Sequence, residues 1–224
     1  MGKLLLALCL LAYITTTAQI EEPKTYFSEV LGKNIRKYRV NAKRAYAHKD
    51  LERAQFLFDS LIEYVIKDSY IDNFKVRKFS GKKIELHQFE KPIYLITYAT
   101  WCTPGIGEVP ALNDVVDANY KEIDFVMLFW GSKKKIRKLK KKFNSNIKVL
   151  YVDEKENNND FVIRYMKHTL GFPTSFFISK DKKILDVKRN FLHHYSEDYS
   201  HSYTSNYQAF TGGVAVLKGE EVEK

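Results

Sequence analysis

Cys102 is the residue in this chain best suited to covalent chemistry. It lies in the run Thr97-Tyr98-Ala99-Thr100-Trp101-Cys102-Thr103-Pro104-Gly105. A thiolate attacks disulfides and a thiol does not, so the question is what lowers the proton affinity of that sulfur. The preceding residues, Pro92 to Tyr98, are apolar, β-branched and aromatic, and read as a buried strand. After a small-residue turn, Ile106, Val109, Leu112, Val116 and Tyr120 fall on one face of a helix over 106–120. Cys102 is therefore expected at or just before the first helical turn, with Pro104 inside that turn. Free N–H groups and the positive end of the helix dipole there favour the thiolate, with a pKa of roughly 6–7.5.

The elements that must hold this junction follow from pattern. Asn73 to Phe79 alternates, Ser80-Gly81-Lys82-Lys83 is a turn, and Ile84-Glu85-Leu86 completes a hairpin. Ile123 to Trp130 is a nearly continuous apolar run, expected as a central strand buried on both faces. A basic helix over 132–143 and a strand over 147–152 come next, then a polar loop over 153–160 and a helix over 161–170 closed by Gly171. Ser175–Ser179 and Ile184–Val187 form an antiparallel edge hairpin around Lys180-Asp181-Lys182-Lys183. Strand–helix–strand alternation with short links argues parallel crossovers and an α/β sheet.

The combination Trp101-Cys102-x-Pro104, Glu108 and Pro110 in the following helix, and Gly171-Phe172-Pro173-Thr174 before a late strand resembles the thioredoxin-like superfamily. Within it, the chain is similar to the TlpA-like branch of extracytoplasmic thiol–disulfide oxidoreductases, over roughly residues 74–190. The resemblance implies a central mixed sheet flanked by helices, with an N-terminal hairpin. It makes Cys102 the nucleophile and Glu108 a partly buried proton carrier whose pKa is raised by desolvation. It also makes Pro173 a cis-proline whose loop lies against the cysteine, with Phe172, Thr174, Trp101 and Pro104 lining the substrate rest. It implies no cofactor.

One departure governs the chemistry. The family's second cysteine, three residues after the first, is Gly105 here. Without a resolving thiol, net two-electron reduction by the chain alone is blocked. Isomerisation, mixed-disulfide transfer with protein or small-molecule thiols, and oxidation to sulfenic acid remain open. A redox-inactive module that binds peptides or partners through the Pro173 groove is the alternative. A single-cysteine peroxidase ranks third. Peroxiredoxins carry Thr or Ser three residues before their cysteine and Pro seven before it, where this chain has Ala99 and Leu95.

Residues 1–18 carry Lys3, an apolar run over 4–14 and Thr16-x-Ala18, the pattern of a signal peptide cleaved after Ala18. The run is short for a membrane span, and no later segment has eighteen consecutive apolar residues. Cys9 lies within that run as a possible lipid-attachment site, although the bulky Leu8 precedes it. Export to the periplasm or cell envelope is the expectation, leaving Cys102 as the mature thiol and ruling out a disulfide framework.

Residues 19–72 form a helical extension: one helix over 25–46 with Val30, Leu31, Ile35 and Tyr38 inward, and a second carrying Leu51, Ala54, Phe58, Leu61, Ile62, Val65 and Ile66, capped by Asp50. This extension either packs on the main domain, residues 73–190, or engages a protein partner.

The formal charge of +10 is concentrated in Lys133–Lys142, where Ile136, Leu139 and Phe143 recur at helical spacing. A solvated basic face over one buried stripe accounts for it, with attraction to anionic lipid or an acidic partner as the alternative. No stacking platform or recognised module supports nucleic-acid binding. In the tail, 191–224, His193, His194 and His201 lack the spacing and companions of a zinc site, so no metal is expected. Tyr195, Tyr199, Tyr203, Tyr207 and Phe210 predict a terminal helix docking an aromatic face.

Overall fold

A computed structural model describes residues 23–131, 133–152, 165–167, 170–189 and 198–219, apart from the side chain of Lys135. The expected signal peptide with Cys9, the 153–160 loop, most of the expected 161–170 helix, and His193, His194 and Tyr195 lie outside the described residues.

Two helices lead the described residues, α1 (Phe27–Ala47) and α2 (Leu51–Leu61), followed by a π turn over Ile62–Ile66. Phe27, Leu31, Ile35 and Tyr38 recur every three or four residues along α1 and are all buried, which is why this segment is an amphipathic helix. Asp50 caps α2, its carboxylate accepting from the Arg53 N–H at 2.8 Å. Removing that acceptor with Asp50→Ala is expected to cost about 1 kcal/mol, read as a lower urea midpoint, with Asp50→Asn close to wild type. Leu51, expected on the inner stripe, is 67% exposed instead. It is the first helical residue, and the burial stripe starts at Ala54 and Phe58.

The strands are β1 (Lys75–Lys78), β2 (Lys83–Glu85), β3 (Ile93–Ala99), β4 (Asp124–Trp130), β5 (Lys148–Val152), β6 (Thr174–Ile178) and β7 (Ile184–Arg189). They form one sheet in the order β2-β1-β5-β4-β3-β6-β7. β3, β4 and β5 run parallel, while β1, β2, β6 and β7 join antiparallel at the flanks. Every residue of β3 and β4 is buried, as their unbroken apolar runs require. Three further α-helices lie among the described residues: α3 (Glu108–Asn119), α4 (Lys133–Lys140) and α5 (Tyr199–Lys218).

The pleat sends alternate residues of β3 to opposite faces. Ile93 and Leu95 join a core with Phe27, Leu31, Phe58, Ile66 and Phe176, so α1 and α2 cover this first face. Tyr94, Ile96 and Tyr98 join Leu112, Val116, Ile136, Phe210 and Val214 from α3, α4 and α5 on the second face. Thioredoxin-like α/β architecture is the result. The basic run buries Ile136, half-buries Lys133, Leu139 and Phe143, and exposes Lys134, Arg137, Lys138, Lys140, Lys141 and Lys142. No described helix is long and apolar enough to cross a membrane.

On α5, Phe210 docks into the second core, beside the Tyr94 ring at 6.3 Å. Its tyrosines differ from the expectation. Tyr199, Tyr203 and Tyr207 stack on one another at centroid distances of 6.1 and 5.8 Å, and Tyr199 and Tyr207 stay exposed. They lie one helical turn apart, and of the three Tyr203 alone packs, half-buried, against the second core.

Candidate functional site

β3 delivers Cys102 to the end of the sheet. The Cys102 N–H donates to the Ala99 carbonyl at 3.0 Å, a tight turn directly after the strand, and the sulfur is partly buried against the second core. The helix does not start there. Residues 102–107 are irregular, and α3 begins at Glu108, six residues beyond the thiol. The first turn of α3 therefore contains Pro110 and not Pro104, and the dipole argument for an acidified sulfur fails. Burial pushes the Cys102 thiol up, the hydrogen bond to the Ala99 carbonyl opposes this only partly, and the Glu108 carboxylate pushes it further in the same direction.

 The backbone N–H groups that a helix start would have offered are taken elsewhere. Gly105 N–H donates to Glu108 Oε2 at 3.0 Å, and Gly107 N–H donates to the Ser202 hydroxyl of α5 at 3.2 Å.

Glu108 is buried beneath this loop, and its other oxygen accepts from the Tyr98 hydroxyl at 3.4 Å. Burial, and then the neighbouring Glu108 and Cys102, hold the Tyr98 phenol far above its ordinary range. Gly107 seats the loop on α5. A Cβ there would lie 2.5 Å from Tyr203 Cα and 2.7 Å from the Ser202 carbonyl carbon, so helix and loop touch backbone to backbone. Tyr203 runs along α3 to donate to Asp114 Oδ2 at 2.7 Å, and that bond pushes its phenol up to about 12.

The second half of the site arrives on β6. Thr174 pairs with Thr97 across the β3–β6 ladder, and Thr97 Oγ1 donates to the Thr174 carbonyl at 3.0 Å. That register sets the Gly171–Pro173 loop at the same sheet end as Cys102, with the Phe172–Pro173 peptide bond cis. Thr174 Oγ1 closes the loop by donating to the Gly171 carbonyl at 3.1 Å. The rings confirm the approach of the two segments: Trp101, 74% exposed, lies 6.3 Å from Phe172, and Phe172 lies 5.0 Å from Trp130. Trp130 was not singled out from the sequence, where it reads only as the last residue of a buried strand. Its indole N–H is buried without a hydrogen-bond partner among the described residues. The site thus brings together Trp101, Cys102, Gly105, Glu108, Phe172, Pro173 and Thr174, while Pro104 sits half-buried in the irregular loop.

The half-buried thiol thus lies at the sheet end that also carries the buried Glu108 and the Gly171–Pro173 loop. The AhpC/TSA family profile matches residues 68–187. The chain belongs to the AhpC/TSA family. Two curated proteins named thiol-disulfide oxidoreductase ResA, from Bacillus thuringiensis subsp. konkukian and Bacillus cereus, are 28% identical to it over 117 residues. That alignment covers 50% of this chain and 64% of theirs, so the chain spans just under two thirds of their length. Among solved structures, a secreted Mycobacterium tuberculosis disulfide oxidoreductase is 20% identical, with a TM-score of 0.42 over 61% of this chain and 95% of that one. The region matched by the family profile begins after α2, so α1, α2 and α5 lie outside it. His201, the described member of the tail histidines, is exposed in the first turn of α5.

Proposed function

We propose that this chain is an exported, one-cysteine protein of the TlpA-like branch that carries out thiol–disulfide exchange through Cys102. The observation that carries the reading is the half-buried Cys102 at the end of β3, next to Trp101, whose ring lies 6.3 Å from Phe172 in the loop that bears Pro173. The Cys102 thiolate attacks one sulfur of a substrate disulfide. The S–S bond breaks, its electron pair leaves on the other substrate sulfur as thiolate, and Cys102 is held in a mixed disulfide. Glu108 takes the thiol proton before attack and returns it to the leaving sulfur. Gly105 stands where a second cysteine would have resolved the adduct. Release therefore requires the client's own thiol, giving isomerisation with no net electron transfer, or an external thiol such as glutathione. Trp101, Phe172, Pro173 and Thr174 form the rest for the incoming segment, with Pro104 at its margin.

The test uses the full mature chain, a client protein with scrambled disulfides, and a glutathione buffer. Wild type is expected to form a glutathione adduct detectable by mass and to speed recovery of native pairing at least severalfold. Cys102→Ser should do neither. A wild-type protein that forms no adduct and gives no acceleration would sink the proposal. The second reading, a redox-inactive binding module, then stands, and the pushed-up Cys102 thiol is the observation that favours it. The same thiol weighs against peroxide reduction, for which wild type and Cys102→Ser are expected to consume peroxide equally slowly.

A further inference from the structure

We infer that the cleft between α2, α5 and the outer edge of β7 is a binding site for an apolar carboxylate, a molecule of medium-chain fatty-acid type. The cleft has a volume of about 940 Å³ and opens at the β7 edge of the sheet; Tyr94 of β3 reaches it, but it shares no lining residue with the thiol site. Its size suits a small molecule rather than a folded partner.

The walls are apolar and aromatic. Phe58 faces in from α2, Tyr94 and Phe177 rise from the sheet, and Phe210 and Val216 descend from α5. Gly212 and Gly213 stand side by side in the middle of α5, where each glycine costs the helix about 0.5–1 kcal/mol relative to alanine. Gly213 has a packing reason, since a Cβ there would sit 2.5 Å from the Phe177 ring and 2.7 Å from the Tyr94 ring. Gly212 has none: a Cβ there meets no atom within 4 Å. The missing side chain opens the cleft.

One cationic group inside it has donors to spare. Arg189 lies flat on Phe58, its guanidinium carbon 3.9 Å from the ring centroid. Nε donates to the Leu170 carbonyl at 3.2 Å, Nη1 to the Tyr46 hydroxyl at 3.1 Å and Nη2 to the Tyr38 hydroxyl at 2.8 Å. A guanidinium has five N–H donors, so among the described residues one on each terminal nitrogen meets no acceptor, a pair suited to the two oxygens of a carboxylate. No carboxylate among the described residues pairs with Arg189. The lining acids are occupied otherwise: Asp186 accepts from Val187 N–H at 2.7 Å and from Lys188 Nζ at 3.1 Å, and Asp59 accepts from Gln55 Nε2 at 2.9 Å. An oriented cation at one side of an apolar cleft selects an amphipathic anion, while a neutral or cationic analogue would leave the fork unmet.

The test is calorimetric titration of the full mature chain with decanoate, decanol and decyltrimethylammonium. Wild type is expected to bind decanoate at least tenfold tighter than either analogue. Gly212→Leu, which fills the cleft without meeting another atom at its Cβ, should weaken decanoate at least tenfold with the helical circular dichroism unchanged. Arg189→Gln should reduce the preference for decanoate over decanol to less than twofold. Absence of decanoate binding to wild type, equal binding of decanol, or undiminished affinity in a folded Gly212→Leu protein overturns the inference. If Arg189→Gln does not fold, the analogue series and Gly212→Leu decide alone.

Discussion

Gly107→Ala is expected to destabilise the protein by about 3 kcal/mol, the upper end of what overpacking costs, lowering the urea midpoint by about 1–2 M. Most overpacked sites relax by rotating a side chain. Here the atoms in the way are Tyr203 N and Cα and the Ser202 carbonyl carbon, all part of the α5 backbone. Relief requires α5 to move away from α3 as a body, and the Gly107 N–H bond to Ser202 Oγ goes with it. Ser202→Ala removes only that bond and should cost about 1 kcal/mol. A Gly107→Ala protein as stable as wild type would mean that the seam between loop and α5 is loose.

Glu108→Gln is expected to raise the rate of Cys102 alkylation at pH 7 roughly threefold to tenfold, while slowing disulfide exchange. Burial is the larger cause of the pushed-up thiol and remains in the variant, but the nearby negative charge is gone. The thiol pKa then falls and the thiolate fraction at neutral pH rises. Alkylation needs only the thiolate and speeds up; exchange also needs a group to return the proton to the leaving sulfur, and slows. If both rates rise together, Glu108 is an electrostatic brake and carries no proton. The same thiol couples stability to pH. Its folded pKa lies above its unfolded one, so its contribution is complete below the unfolded value, near the usual ~8.5, and is lost as pH rises through the folded value. Cys102→Ser is expected to flatten that alkaline part of the stability profile.

Much of the architecture was legible along the chain. β3 and β4 are unbroken apolar runs, and only a strand buried on both faces accommodates them. Cys102, Glu108 and the Phe172–Pro173 loop were legible as a set because a resemblance linked segments about 70 residues apart. The start of α3 was not. Apolar spacing runs back to Ile106, yet Ile106 is 64% exposed and the helix waits until Glu108. What holds residues 105–107 out of the helix includes Ser202, 95 residues downstream, and no local pattern records so distant a contact. The thiol's environment was misjudged for the same reason, since it followed from where the helix was taken to begin. The tyrosines of α5 show the limit of periodicity. Spacing marks residues that share a flank, and Phe210 and Gly213, not the tyrosines, meet the Tyr94 ring.

The core that α1 and α2 make with the sheet sets the smallest piece of this protein that can stand alone. Phe27, Leu31 and Phe58 belong to the same cluster as Ile93, Leu95 and Phe176, although the family profile begins only at residue 68. A fragment trimmed to the boundaries of its kinship would bare one whole side of the sheet, and such a greasy plane invites self-association. What is shared with relatives and what folds as a unit are different stretches of this chain, and the leading helices belong to the second.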